Sequence, residues 1–187
     1  MFQAHLAKSV LLDTSPFRRF TEAELLAELM SYLPAASVVA EVGSELDDAA
    51  RSERYKALAG AMNRFNWTKR IAGISGPMQL ADAKILLDIL RQSDPGKSHV
   101  GEVATILRAK QLGVQLVIMD DRDARKKVAG PRGVKTIATA TLASEMTYRG
   151  ALSEEQGWCV FQLAAKGTVF TDFEGALERA AQPATPF

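Results

Sequence analysis

The sequence has few of the features that mark secreted or membrane-bound proteins. It contains one cysteine, Cys159, which excludes an internal disulfide and is compatible with a reducing cytosol. The apolar residues around Cys159 predict that its thiol packs in the core. The first residues lack the basic start and apolar stretch of a signal peptide. No run approaches the roughly 18 apolar residues that a membrane span requires. We therefore expect a cytoplasmic protein without membrane contact.

The sequence also lacks an excess of charge of either sign. It has 23 Lys and Arg residues against 22 Asp and Glu residues, a formal net charge of +1. Nucleic-acid binding would therefore depend on a local basic patch rather than on the overall charge. The length of 187 residues favours one domain over residues 1–187. Residues 182–187, which include two prolines, are predicted to be a frayed tail.

Two apolar runs that end in aspartate organise the remaining sequence. Residues 10–12 precede Asp13, and residues 114–119, interrupted only by Gln115, precede Asp120 and Asp121. Near-continuous apolarity is typical of a strand covered on both faces, which predicts an α/β protein with a parallel sheet. Further strands are predicted within 67–74 and 134–139. Helices are predicted at 21–33, beginning with a Thr21/Glu24 capping box, and at 36–46, 80–90, 101–112, 122–129, 142–148, 153–165 and 171–181.

Four acidic positions would converge if these two strands are neighbours, because ligands bind beyond the carboxyl ends of parallel strands. They are Asp13, Glu41, Glu102 and Asp120, with Asp121 beside the last. Carboxylates about 4 Å apart repel one another by about 1 to 4 kcal/mol per pair, which protonation or divalent cations relieve. Oxygen ligands favour Mg²⁺ or Mn²⁺, and the waters on such ions suit hydrolysis of a phosphodiester.

Each of these acids also has a purely structural interpretation. Asp13 is equally suited to a turn or a helix cap, and Glu102 to the first turn of a helix, where it would stabilise the dipole. Glu45 lies one helical turn from Glu41, and either is compatible with an exposed surface position. For Asp120 and Asp121, a shared functional role is favoured. Two adjacent acids directly after a buried strand repel one another, and no local structural benefit offsets that repulsion.

Neighbouring residues suggest supporting roles. Thr14 and Ser15 are suited to orient a ligating carboxylate or a water. His99 shows no recognisable ligand geometry in the sequence. Four basic residues are candidates for binding RNA phosphates, or are simply a solvated helix face: Arg122, Arg125, Lys126 and Lys127. Arg125 alternatively pairs with a site carboxylate.

Taken in order, four segments resemble the acidic blocks of PIN-domain proteins. They are residues 11–16 (LLDTSP), 38–42 (VVAEV), 101–106 (GEVATI) and 119–125 (MDDRDAR). The resemblance is to a prokaryotic PIN-like branch with a Gly-Glu helix start and an Asp-Asp-x-x-x-Arg block. It implies a three-layer α/β/α fold with a central parallel sheet of about five strands. It further implies an Mg²⁺- or Mn²⁺-dependent ribonuclease, often a toxin paired with an antitoxin protein and often a homodimer.

Carried over to this chain, the resemblance implies specific roles for the acids. Asp13, Glu41, Glu102 and Asp120 would be the catalytic metal ligands, with Asp121 as a substitute or helper. Residues 47–97 match the branch poorly, and Met119 stands where such nucleases often have Thr or Ser. These departures leave open an alternative, in which the chain is a non-catalytic PIN-like module that binds a protein or RNA.

Overall fold

The computed structural model describes residues 9–59, 69–165 and 173–181 of the chain. These residues form a five-stranded sheet in the order β3-β2-β1-β4-β5, with every neighbouring pair parallel. Helices flank the sheet, which confirms the predicted α/β/α architecture. The strands are β1 (Val10–Leu12), β2 (Ala36–Val39), β3 (Lys69–Ile71), β4 (Leu116–Ile118) and β5 (Thr136–Ile137).

Eight α-helices lie wholly within the described residues. They are α1 (Thr14–Glu22), α2 (Leu26–Tyr32), α3 (Ala40–Ala49), α4 (Pro77–Arg91), α5 (Val100–Leu112), α6 (Thr139–Tyr148), α7 (Glu154–Ala165) and α8 (Phe173–Ala181). Two short 3-10 turns (Glu53–Tyr55 and Gly130–Arg132) and a π-helical segment (Ala124–Ala129) complete them. Of the helices described, none combines the length and the apolarity needed to cross a membrane.

The central strands β1 and β4 explain the two apolar runs of the sequence. Every residue of both strands is buried, because helices cover both faces of the sheet. Leu12 pairs with Ile118 in the ladder, and the amide of Asp13 donates a hydrogen bond to the Ile118 carbonyl at 3.0 Å. Each fully buried leucine or isoleucine contributes about 1.5 to 3 kcal/mol to folding. The predicted pairing of these strands, on which convergence of the acids depends, is therefore present.

The order in which the chain adds strands to the sheet reverses at β1. From β1 the chain adds β2 and β3 on one side, and it later adds β4 and β5 on the other. In open parallel sheets, such a reversal leaves a crevice beyond the carboxyl ends of the two central strands, where ligands bind. Asp13 leaves β1 at this crevice, and Asp120 and Asp121 follow β4 there.

The start of the first helix differs from the prediction. The capping box at Thr21 and Glu24 is wrong, because α1 already begins at Thr14 and Thr21 lies in its last turn. Pro16 is the third residue of α1, where a missing N–H costs no intrahelical hydrogen bond. Glu24 adopts a positive φ of 60° in the turn between α1 and α2. Pro16 therefore lies within the first turn of α1, and the helix begins before it.

The segment 36–46 was predicted to be one helix, and that prediction is also wrong. Its first four residues form β2, and α3 begins only at Ala40. Val38 and Val39 are fully buried between neighbouring strands, an environment that suits β-branched side chains better than a helix does. Glu41 therefore lies in the first turn of α3, close to the end of β2, and Glu45 lies one turn further along.

Other predicted boundaries hold. Gly113 has a φ of 62° and ends α5, as glycine commonly does. At the start of α7, the Gln156 side chain accepts from the Ser153 amide at 2.9 Å. The Ser153 hydroxyl accepts from the Gln156 amide at 3.2 Å. The similar cap predicted at Thr171 and the predicted tail at 182–187 lie outside the described residues.

The predicted burial of Cys159 is wrong. Helix α7 directs Gly157, Val160 and Phe161 into the core, so Cys159 lies on its exposed side as a free thiol. Trp158, beside it, stacks on the Phe161 ring with centroids 5.9 Å apart. Apolar neighbours in the sequence do not fix burial here, because adjacent helical residues face directions about 100° apart.

Candidate functional site

The carboxylate of Asp13 lies almost completely buried at the crevice, with 2% of the residue exposed. Burial raises its pKa from 3.8 to about 7, and the negative charges of Glu102 and Glu45 add to the rise. Hydrogen bonds from the Thr14 amide and from the Ser15 hydroxyl, the latter 3.1 Å from Oδ2, act in the opposite direction. A positive charge placed beside the Asp13 carboxylate would therefore be strongly favoured.

Glu45 reaches the same crevice from α3. Its Oε2 accepts a hydrogen bond from the hydroxyl of Thr14, the residue that follows Asp13. Its Oε1 lies against Gly101 at the start of α5, where a Cβ would be only 2.7 Å from that oxygen. Helices α3 and α5 pack against each other, and the glycine leaves room for the carboxylate between them. Glycine at position 101 therefore permits this charge to approach the cluster.

Glu102, in the first turn of α5, links the two sides of the crevice. Its pKa is raised, first because it is buried and then because Glu45 and Asp121 carry like charges. Its own backbone amide and the His99 imidazole lower the pKa in part. Because Glu102 also raises the pKa of Asp13, carboxylates from four separate chain segments act on one another. Of the four acids predicted to converge, Asp13 and Glu102 are among those that interact.

His99 completes the arrangement from the position before α5. Its imidazole is buried, and Nδ1 lies 3.9 Å from Glu102 Oε1 and 3.9 Å from Asp121 Oδ2. Its backbone adopts the left-handed conformation with φ of 54°, which is uncommon for residues other than glycine. The three ligand atoms all lie within 4.8 Å of one another. We call Asp13, Glu45, Glu102, Asp121 and His99 the crevice cluster.

Lys97 supplies a positive charge at the edge of the crevice cluster. Its Nζ lies 3.3 Å from Asp121 Oδ2, and 3.7 Å from Asp94 Oδ2. Burial lowers the pKa of Lys97, but attraction to Asp121, Asp94 and Glu102 outweighs burial and leaves it raised. The ammonium group therefore stays charged and neutralises part of the cluster.

The described contacts of Glu41, which was predicted to be a metal ligand, are with the loop that follows β3. Its Oε1 accepts a hydrogen bond from the Ile74 amide at 3.0 Å. A Cβ on Gly73 would lie 2.3 Å from the same oxygen, so the carboxylate is seated against the loop that follows β3. Because α3 begins at Ala40, Glu41 lies beside the end of β2, and Glu45, one turn later, reaches Thr14 and the start of α5.

The two aspartates after β4 have different partners. Asp120 accepts a hydrogen bond from the Thr139 amide at 2.8 Å, at the start of α6, and its Oδ2 lies 3.9 Å from Arg19 Nε. Asp121 Oδ1 accepts from the Ala124 amide at 2.8 Å, while Oδ2 faces Lys97 and His99. Asp121 therefore contacts Lys97 and His99, whereas Asp120 is joined to the start of α6 and its Oδ2 is buried without a hydrogen-bond partner among the described residues.

The predicted basic residues, which lie in the segment after β4, differ in exposure and in contacts. Arg122 and Lys126 are exposed. Lys127 Nζ contacts Ser93 Oγ at 2.6 Å and Asp123 Oδ2 at 3.1 Å. The alternative pairing of Arg125 with a site carboxylate is not seen: its Nε is buried without a hydrogen-bond partner among the described residues. Arg122 and Lys126 are thus the members whose charge is accessible to an anionic ligand.

Sequence reasoning missed Glu45, Lys97 and His99 as members of this region. Glu45 had a usable signal, because it follows Glu41 by one helical turn and either could have faced the sheet. His99 precedes the Gly-Glu pair that opens α5, but its left-handed backbone, which aims the ring at the acids, has no clear signature in sequence.

Comparisons of the chain with protein-family models, with curated proteins and with solved structures give no match. The resemblance to PIN-domain proteins therefore remains a prediction from the four acidic segments.

Asp13 should make stability depend on pH in a characteristic direction. Its pKa is raised to about 7 in the folded protein, so between about pH 4 and 7 the folded state holds a proton that the unfolded chain releases. The free energy of unfolding should therefore fall as the pH rises through this window, by at most about 4 kcal/mol. Chemical denaturation in EDTA at several pH values measures the slope. Asp13→Asn should flatten it.

An exposed aspartate on α4 provides the control for this experiment. Asp82→Asn should leave the pH slope as in the unmodified protein, because Asp82 lies outside the cluster. An Asp13→Asn variant that keeps the full slope would contradict the assignment of a raised pKa to Asp13.

Gly101→Ala should separate stability from site geometry. Alanine favours a helix over glycine by up to about 1 kcal/mol, whereas its methyl group would meet Glu45 Oε1 at 2.7 Å. The flexible Glu45 side chain should move aside, so stability is kept while the pKa of Asp13 falls. Carboxyl NMR titration of Asp13 measures this. Gly130→Ala is the matched control, since its Cβ has ordinary contact distances, and an unchanged Asp13 pKa in Gly101→Ala would refute the argument.

Proposed function

We propose that this protein is a divalent-metal-dependent ribonuclease that hydrolyses RNA phosphodiesters at the crevice cluster. The observation that carries the proposal is the convergence of carboxylates around the buried Asp13, where the sheet reverses its order. Burial and the like charges raise the pKa of Asp13 and of Glu102. Buried like charges destabilise the fold, so they are retained where a ligand repays their cost. A divalent cation is the simplest ligand of that charge.

The donor set fits a hard or borderline divalent cation. Asp13, Glu45, Glu102 and Asp121 offer carboxylate oxygens from different chain segments, which is the chemistry that Mg²⁺ and Mn²⁺ prefer. A bound cation of this kind would supply an activated water and offset negative charge on the phosphate during hydrolysis. Thr14 and Ser15 hold Glu45 and Asp13 in place by hydrogen bonds, so the carboxylates are oriented in advance.

RNA as the substrate is supported by basic residues close to the cluster in addition to the resemblance. Lys97 lies at its edge, and Arg122 and Lys126 present exposed charges from the segment after β4. Such side chains bind phosphates and position the backbone without reading sequence. In the proposed reaction, water attacks phosphorus, the bond to one sugar oxygen breaks, and that oxygen leaves with a proton.

A toxin role with an antitoxin partner, and a homodimeric state, belong to the same proposal and rest on the resemblance alone. Growth arrest on expression of the protein, absent for an Asp13→Asn variant, would support the toxin role. Arrest that persists in that variant would contradict it.

Paired glutamate variants test the proposed active site. Glu45→Gln should lower the rate of RNA cleavage in Mn²⁺ or Mg²⁺ by roughly tenfold to 100-fold, because it removes a cluster charge. Glu41→Gln should leave the rate within about twofold, because its carboxylate contacts the loop after β3 instead. Cleavage of labelled single-stranded and structured RNA, with EDTA as the metal-free control, measures both rates.

The outcome also separates the alternative function. Equal loss in Glu41→Gln and Glu45→Gln would contradict the assignment of the active site to the crevice cluster. Binding of Mn²⁺ and of RNA without any cleavage would contradict the ribonuclease and favour the non-catalytic binding module.

A further inference from the structure

The imidazole of His99 has one nitrogen that the described structure leaves without a hydrogen-bond partner. His99 is only 3% exposed, and its Nδ1 is buried without a hydrogen-bond partner. Nε2 lies 3.2 Å from the Asp94 carbonyl oxygen. Because a carbonyl oxygen only accepts, Nε2 carries the proton of that hydrogen bond. In the neutral ring, Nδ1 therefore presents a lone pair toward Glu102 and Asp121.

That arrangement is unfavourable unless a positive charge lies between these atoms. The Nδ1 lone pair and the two carboxylates are all acceptors, and the 3.9 Å separations are too long for hydrogen bonds. Histidines that bind metals commonly donate the other ring N–H to a backbone carbonyl or a carboxylate, which fixes the tautomer. The Nε2 contact with Asp94 is such a bond, and it leaves Nδ1 directed at the acids.

The separations of the three atoms suit a single ion after a small adjustment. The atoms of His99, Glu102 and Asp121 lie within 4.8 Å of one another. An ion equidistant from them would lie about 2.5 Å from each, compared with about 2.0 to 2.2 Å for bonded nitrogen and oxygen ligands. Glu102 and Asp121 are both partly exposed, with 16% and 11% of their side chains accessible, so their carboxylates can close this gap.

We propose that His99 Nδ1, Glu102 and Asp121 form a mixed nitrogen and oxygen site that selects a first-row transition ion, such as Mn²⁺, Fe²⁺ or Zn²⁺, over Mg²⁺. Imidazole nitrogen favours these ions, whereas Mg²⁺ is usually held by oxygen ligands and keeps several waters. The inference deepens the proposed function and rests on it for the role of the cluster. It adds which class of cation the cluster takes and names a ligand that carboxylate chemistry does not provide.

Mn²⁺ bound to the purified protein tests the inference by a signal that is independent of RNA cleavage. Pulsed electron paramagnetic resonance detects coupling between Mn²⁺ and a directly bound histidine nitrogen. The wild-type protein should show this coupling, and the coupling should change isotope pattern when histidine is labelled with ¹⁵N. The sequence has only two histidines, so a His5→Asn variant should keep the signal and assign it to His99.

His99→Asn removes the imidazole and is compatible with the backbone conformation at position 99. Asparagine is, like histidine, enriched in the left-handed conformation that position 99 adopts. The variant should lose the nitrogen coupling and bind Mn²⁺ roughly tenfold to 100-fold more weakly. Its affinity for Mg²⁺ should change by less than about threefold, since oxygen ligands dominate Mg²⁺ binding. Titration of Mn²⁺ and Mg²⁺ separately measures the change in preference.

The outcomes distinguish this inference from the proposed ribonuclease. Mn²⁺ binding without nitrogen coupling in the wild-type protein overturns the inference, because His99 then does not bind the ion. RNA cleavage in that case would leave the proposed function intact. Nitrogen coupling without RNA cleavage would support the inference and contradict the ribonuclease. The wild-type measurement decides even if His99→Asn fails to fold.

Discussion

Repulsion between carboxylates that are withdrawn from water is the constraint on which this site depends. Asp13 and Glu102 are withdrawn from water by burial, which strengthens the interaction between their charges. The fold responds with hydroxyl groups from Thr14 and Ser15, and with the ammonium group of Lys97. These contacts reduce the repulsion without removing it. A structure that served only stability would have placed apolar or neutral side chains at these positions.

The fold was predictable from the sequence where burial of a strand on both faces produces a continuous apolar run. Strands β1 and β4 are covered on both faces, so their apolar runs predict both the parallel sheet and its neighbouring pair. The early strand β2 was not recognised, because four residues ahead of a helix leave too little periodicity to separate extended from helical structure. Tertiary burial of Val38 and Val39 decides between the two.

The site was predictable only in part, for reasons that follow from the same geometry. Asp13 and Glu102 lie at element boundaries that the sequence marks, and both reach the crevice. Glu41 and Glu45 share one helix, so choosing between them requires the exact start of α3. Asp120 and Asp121 are adjacent, and only the positions of α6 and His99 show which contacts each of them makes. A shift of one helical turn, or of one residue, in the position of a side chain is smaller than sequence patterns can predict.

The position of Lys97 has a consequence for how the crevice meets ions. Its ammonium group already rests 3.3 Å from Asp121, on a tether of four methylene groups that is half exposed. A divalent ion that settles beside Asp121 therefore takes the place of a charge that the polypeptide supplies itself. On the proposed metal site, uptake would be an ion exchange, in which the net gain of positive charge is smaller than the charge of the arriving ion. The displaced ammonium would stay attached at the rim of the crevice, available to an anion that follows.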